Sequence, residues 1–121
     1  MKVLLVEDEL ALADVLARNL RARGYDVRCE PSARGAIRSL AQGLPDALVL
    51  DINLPDDSGW EVMRRLSDSE RRRLRTVIIS AAPISPKRIE EFRPKHCLLK
   101  PFPLEALARA LTDSPAEEET A

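Results

Sequence analysis

Four short apolar runs recur along the chain: Val3-Leu4-Leu5-Val6, Ala47-Leu48-Val49-Leu50, Val77-Ile78-Ile79 and Cys97-Leu98-Leu99. The first three are apolar without alternation, as expected of parallel strands covered by helices on both faces. Between the first two runs, Tyr25, Val27 and Cys29 alternate with Asp26, Arg28 and Glu30, which predicts a half-exposed edge strand. Helical spacing occupies the gaps. From Glu9 to Arg23, Leu12, Val15, Leu16 and Leu20 line one face and Gly24 supplies a stop. A second helix follows Ser32, with Ala36, Ile37, Leu40 and Ala41 inward and Gly43 closing it. A third starts at Ser58-Gly59-Trp60-Glu61, where Ser58 and Glu61 fit a capping box and Met63 and Leu66 continue the stripe. Ser85 can cap a fourth, with Pro86 at its first position, leaving Lys87 to Arg93 as barely two turns before Pro94. Ile84, Ile89 and Phe92 read as core residues or as a partner patch, and their helical spacing favours the core. The last starts at Pro103, with Leu104, Leu107, Ala108 and Leu111 on one face.

Strand and helix alternate five times, which predicts an α/β fold: a doubly wound, five-stranded parallel sheet of flavodoxin-like type. Its expected strand order is 2-1-3-4-5, with helices on both faces. The switch point then lies between the first and third strands. With 121 residues the chain suits one domain, placed here at residues 1–113. Residues 114–121, with Glu117-Glu118-Glu119, read as a disordered acidic tail or the start of a linker.

Charge narrows the function classes. Nineteen basic residues against 20 acidic ones leave a net charge of −1, so no overall field favours nucleic acid or a membrane surface. The run Arg71-Arg72-Arg73-Leu74-Arg75 reads as a solvated loop before the fourth strand, because a phosphate footprint needs a broader basic surface and no aromatic is interleaved. The apolar run after Met1-Lys2 is too short for a signal peptide or a membrane span, which makes a cytoplasmic location the expectation. Cys29 and Cys97 fall on opposite edges of the expected sheet and are read as reduced thiols. With His96 the only histidine and no CxxC, a zinc site or a histidine-based relay lacks its parts, and His96 reads as a surface or satisfied residue.

The chemistry gathers at the strand ends. Glu7-Asp8 follows the first run, Asp51 the second, Ser80 the third and Lys100 the last. An open α/β sheet binds ligands outside the carboxyl ends of its strands, so these groups should meet in one crevice. Any one of the four could be an ordinary turn, cap or strand-end residue, but their joint placement is far harder to obtain by chance. Three carboxylates packed together raise one another's pKa unless a cation neutralises them. A hard, oxygen-seeking ion such as Mg²⁺ resolves that repulsion and keeps positions open for a phosphoryl group. Asp51 can then serve as a nucleophile, while Ser80 and Lys100 neutralise the equatorial oxygens in transfer.

The segments Val6-Glu7-Asp8, Leu50-Asp51-Ile52-Asn53-Leu54-Pro55 with Ser58-Gly59, Ser80-Ala81 and Lys100-Pro101-Phe102 resemble those of the receiver domains of two-component response regulators, from about Lys2 to Leu111. The resemblance implies that Asp51 is the phosphoacceptor, taking a phosphoryl group from a histidine kinase, a phosphotransfer protein or a small donor such as acetyl phosphate. It implies that Asp8, Asp51 and the backbone carbonyl of Asn53 ligate Mg²⁺, with Glu7 reaching it through water. Ser80 and Lys100 are implied to bind the phosphoryl oxygens, and Lys100-Pro101 to be cis. Gly59 is expected to relieve crowding where the loop after Asp51 enters the third helix.

Two departures stand out. Typical receivers carry Tyr or Phe three residues before the Lys, where Cys97 stands here, so a moving ring cannot carry the signal. The proline-punctuated segment from Ser80 to Cys97 should also reshape the surface of fourth helix, fifth strand and fifth helix that such domains present to partners. The resulting reading is a phosphorylation-dependent switch that catalyses only its own aspartyl phosphorylation and dephosphorylation and signals to an unknown partner protein or output domain. One alternative is a receiver that is not phosphorylated and serves as a binding scaffold. A haloacid-dehalogenase-like phosphatase is more remote, since Asn53 stands where its second Asp belongs and no cap insertion is present. Dinucleotide binding lacks a GxGxxG after a strand, and only four glycines exist.

Overall fold

The computed structural model describes residues 1–112; the tail read at 114–121 lies outside them. Five strands pair in parallel in the order β2-β1-β3-β4-β5: β1 Lys2–Val6, β2 Asp26–Glu30, β3 Ala47–Asp51, β4 Arg75–Ser80 and β5 His96–Leu99. This is the expected doubly wound sheet. Pairing Val6 with Leu50 and Asp51 with Ile79 brings the carboxyl ends of β1, β3 and β4 level, and Ser80 opposite Leu99 adds β5.

Two apolar layers sandwich the sheet. On one face α1 (Leu10–Ala22) and α6 (Leu104–Thr112) cover Val3, Leu5, Val49, Val77 and Ile79 through residues such as Leu16, Leu20, Leu107 and Leu111. On the other, α2 (Ala33–Gln42), α3 (Gly59–Arg64) and α5 (Pro86–Phe92) cover Leu4, Val6, Leu48, Leu50 and Ile78. Alternate residues of β1, β3 and β4 therefore point into different cores, which explains why these strands are apolar at every position.

Several expectations need correcting. Val15 is 49 % exposed, and its place on the inner face of α1 is taken by Ala13 and Ala17, because the helix is turned so that its buried stripe is centred on Leu16, Ala17 and Leu20. Ala41 also faces solvent, while Ala33 is buried instead. Ser58 does not form a capping box with Glu61: its Oγ accepts from the Trp60 N–H, and Glu61 pairs with Arg64 and Arg65. The capping box lies one helix later, between Ser67 and Glu70. It opens α4, Asp68–Arg73, where a loop was expected; Leu74 behind it is buried and Arg75 begins β4. Helix α5 is short, as expected, and Phe92 is its buried anchor, but Ile89 is exposed and Ile84 only half-buried. Cys29 and Cys97 are free and exposed on the two edge strands, so the alternation of β2 buries Val27 alone. No helix among the described residues is long and apolar enough to cross a membrane.

Candidate phosphoryl and metal site

The crevice at the carboxyl end of the sheet holds the predicted carboxylates. Glu7 and Asp8 continue β1, and Asp51 ends β3 next to it. One oxygen from each of the three lies within 4.8 Å of the others, a set suited to a metal ion. Glu7 and Asp51 are buried, whereas Asp8 is exposed at the mouth.

Lys100 closes the group from the end of β5. Its Nζ donates to Asp51 Oδ2 at 2.9 Å and lies 2.8 Å from Glu7 Oε1. The second contact is at ion-pair distance but outside hydrogen-bonding geometry, so Glu7 Oε1 remains a buried oxygen without a hydrogen bond. One ammonium thus meets two of the three clustered carboxylates. Burial pushes the Glu7 pKa up to about 7, opposed by Lys100 and assisted by the neighbouring Asp51. For Lys100, burial works against the charge, but the carboxylates of Glu7 and Asp51 outweigh it and raise its pKa. A buried Glu with a raised pKa, beside two further carboxylates and sharing one ammonium with Asp51, is what a hard divalent cation would neutralise.

The remaining predicted residues take different positions. The Asn53 N–H donates to Asp51 Oδ1 at 2.9 Å, fixing that carboxylate's orientation. Ser80 Oγ turns to its own loop, donating to the Ala82 carbonyl at 2.5 Å and accepting from the Ala82 N–H at 3.1 Å. Lys100-Pro101 is cis, as the resemblance implied. Gly59 has the crowding expected of it: a Cβ there would sit 2.5 Å from the Asp51 carbonyl oxygen and 2.9 Å from Ile52 Cα.

The family model for the response regulator receiver domain matches residues 3–112. The chain belongs to this family. Among solved structures, this receiver domain is similar to one from Methanospirillum hungatei JF-1 at 20 % identity, with a TM-score of 0.83 over 98 % of this chain and 96 % of the other. It is similar at 22 % identity and a TM-score of 0.82 to a Burkholderia pseudomallei response regulator with a phosphorylated aspartic acid, a calcium ion and citrate, covering 98 % of this chain and 71 % of that one. At 28 % identity and a TM-score of 0.79 it is similar to the receiver domain of a sensor histidine kinase from Pseudomonas aeruginosa PAO1 with a magnesium ion coordinated in its active site cleft. That match covers 91 % of this chain and 93 % of the other.

Two features around the site escape sequence reasoning. Asp56, in the loop after Asp51, accepts from the N–H groups of Ala33 and Arg34 at 2.9 Å each and so ties that loop to α2. The Asp56-Asp57-Ser58 stretch carried no signal separating this cross-chain cap from local turn residues. Trp60, next to Gly59, stacks on Phe92 of α5 with centroids 5.1 Å apart, and Arg64, Arg71 and Arg88 flank the two rings. The single Trp of a chain with 3 % aromatics was the available clue.

Proposed function

We propose that this receiver domain is a phosphorylation-dependent signalling switch of a two-component system, with Asp51 as the phosphoacceptor. The observation that carries the reading is the buried Asp51 carboxylate held by Lys100 on one oxygen and the Asn53 N–H on the other, beside Glu7 and Asp8. Asp8, Asp51 and the Asn53 carbonyl would hold Mg²⁺, with Glu7 behind them. When bound, Mg²⁺ supplies positive charge that offsets both the carboxylates and the incoming phosphoryl oxygens.

The chain's own groups supply the rest. An Asp51 carboxylate oxygen forms the new O–P bond as the N–P bond of a phosphohistidine breaks, and the electron pair returns to the imidazole nitrogen. Lys100 stays beside Asp51 and neutralises an equatorial oxygen. The Ser80 hydroxyl leaves Ala82 and donates to another, which makes the loop after β4 the first part of the chain to sense the phosphoryl group. The domain catalyses its own phosphorylation and dephosphorylation rather than turnover of a metabolite. Its donor is a histidine kinase or phosphotransfer protein and its reader an unknown downstream protein or output domain, in the cytoplasm, with no direct role for nucleic acid or membrane.

Intact mass after incubation with acetyl phosphate and Mg²⁺ tests the reading. Wild type should gain a phosphoryl adduct of about 80 Da, and Asp51→Ala should not. A folded protein that forms no adduct and ignores beryllofluoride would favour the scaffold reading instead.

A further inference from the structure

The near-zero net charge conceals a strong local imbalance. Ten of the chain's 19 basic residues fall between positions 64 and 95 against four acidic ones, a local net charge of +6. Four of those ten basic residues, together with Asp68, Glu90 and Glu91, line a groove of about 480 Å³ between α4 and the C-terminal end of α5. Its lining includes Arg71, Arg72, Arg93 and Lys95, and Phe92 forms part of its wall. The exposed β5 residues Cys97 and Leu99 take no part in it.

Pairing within the groove leaves an excess of cations. Arg71 is occupied, bonding to Asp68 and donating to the Met63 carbonyl at 2.8 Å, and Glu91 is taken by Arg88. Among the described residues, Arg72, Arg93 and Lys95 form no ion pair, whereas Glu90 is the one groove carboxylate left without one. The cations are held in place by backbone features. Arg93 sits in the left-handed region at φ 49°, its N–H bonded to the Ile89 carbonyl, and the Lys95 N–H bonds to the Thr76 carbonyl at 2.8 Å. Arg72 is carried by a helix opened by the Ser67 and Glu70 capping box.

We propose that this groove is an interaction surface for an acidic protein segment, one that places carboxylates against Arg72, Arg93 and Lys95. Interleaved carboxylates at Asp68, Glu90 and Glu91 argue for a peptide over a nucleic acid, whose evenly spaced phosphates would meet them in any register. A polypeptide can set its acidic residues against the three free cations and a neutral one against Glu90. Charge complementarity of this kind accelerates encounter and fixes orientation, and salt screens it.

The test is an NMR titration of the ¹⁵N-labelled full chain with N-acetylated hexaglutamate at low salt. Amide shifts are expected at Arg71 to Arg73, Phe92, Arg93 and Lys95. The double reversal Arg72→Glu/Lys95→Glu should weaken binding at least about tenfold. The charge-matched control Arg38→Glu/Arg109→Glu, on α2 and α6, should leave it within about twofold. Circular dichroism confirms that both variants are folded. Equal weakening by the two variants, shifts centred elsewhere, or no shifts at all would overturn the proposal. So would a DNA duplex that binds the groove more tightly than hexaglutamate.

Discussion

Asp56 supplies acceptors for two N–H groups that the first turn of α2 cannot satisfy within the helix. The Arg34 and Ala33 amides hold its pKa below the ordinary carboxylate value of 3.8. A depressed carboxylate contributes stability that is present above its unfolded-state pKa and lost as pH falls through the folded one. Asp56→Ala should therefore lower the thermal midpoint at pH 7, with the gap to wild type closing as pH falls below 3.8. Melting curves across pH would show it, and a gap of constant size would assign Asp56 a role other than charge. Thr76 is the opposite case: its Oγ1 is buried on β4 without a hydrogen-bond partner. Thr76→Val keeps the shape and removes an unsatisfied hydroxyl, so urea denaturation should show a gain of about 1 kcal/mol.

At the scale of elements, Gly59 and Phe92 set how α3 and α5 dock. A methyl group at position 59 meets backbone at 2.5 Å, not a side chain that could swing away. Gly59→Ala should thus destabilise by about 1–3 kcal/mol, read from urea denaturation, and slow adduct formation from acetyl phosphate by displacing Asp51. Phe92 is the only buried residue of a seven-residue helix, so Phe92→Ala should cost about 3 kcal/mol by the same measurement. These elements also show what was legible in the sequence. Strands β1, β3 and β4 could be read because both faces of each are buried, which leaves an unbroken apolar run. Their shared direction, with β5 parallel beside them, places Glu7, Asp8, Asp51, Ser80 and Lys100 at one end. Helix α4 could not be read by periodicity, since Asp68-Ser69-Glu70-Arg71-Arg72-Arg73 buries no residue. It is held by its capping box and by Arg71 reaching across to Met63, signals that lie in side-chain hydrogen bonds. Val15 falls outside the core for a related reason: spacing predicts a stripe, but small residues such as Ala13 and Ala17 can share it, and the packing decides where it is centred.

Across the whole molecule, the question is how an event at Asp51 reaches the far surface when β5 carries Cys97 instead of an aromatic ring. Cys97 and Leu99 are exposed on the edge strand, and neither offers a ring that could move against Ser80. A contiguous route runs instead through the helices on that same face of the sheet. Gly59 lies close against the backbone of Asp51 and Ile52, donating its N–H to the Ile52 carbonyl at 2.8 Å; Trp60 follows it and stacks on Phe92 of α5, whose N-terminus is reached by the loop from Ser80. Both ends of that route leave the proposed phosphoryl site, one through the loop after β3 and the other through the loop after β4. Movement of the Ser80 hydroxyl away from Ala82 would shift α5 against a ring stack whose other half is anchored beside Asp51. On treatment with beryllofluoride and Mg²⁺, NMR should therefore show a larger shift for the Trp60 indole N–H than for the Cys97 and Leu99 amides. Phe92→Leu, which keeps an apolar anchor but removes the stack, should reduce the indole shift by about half or more while leaving adduct formation on Asp51 intact. Dominant shifts in β5, or an indole response unchanged in Phe92→Leu, would place the route elsewhere.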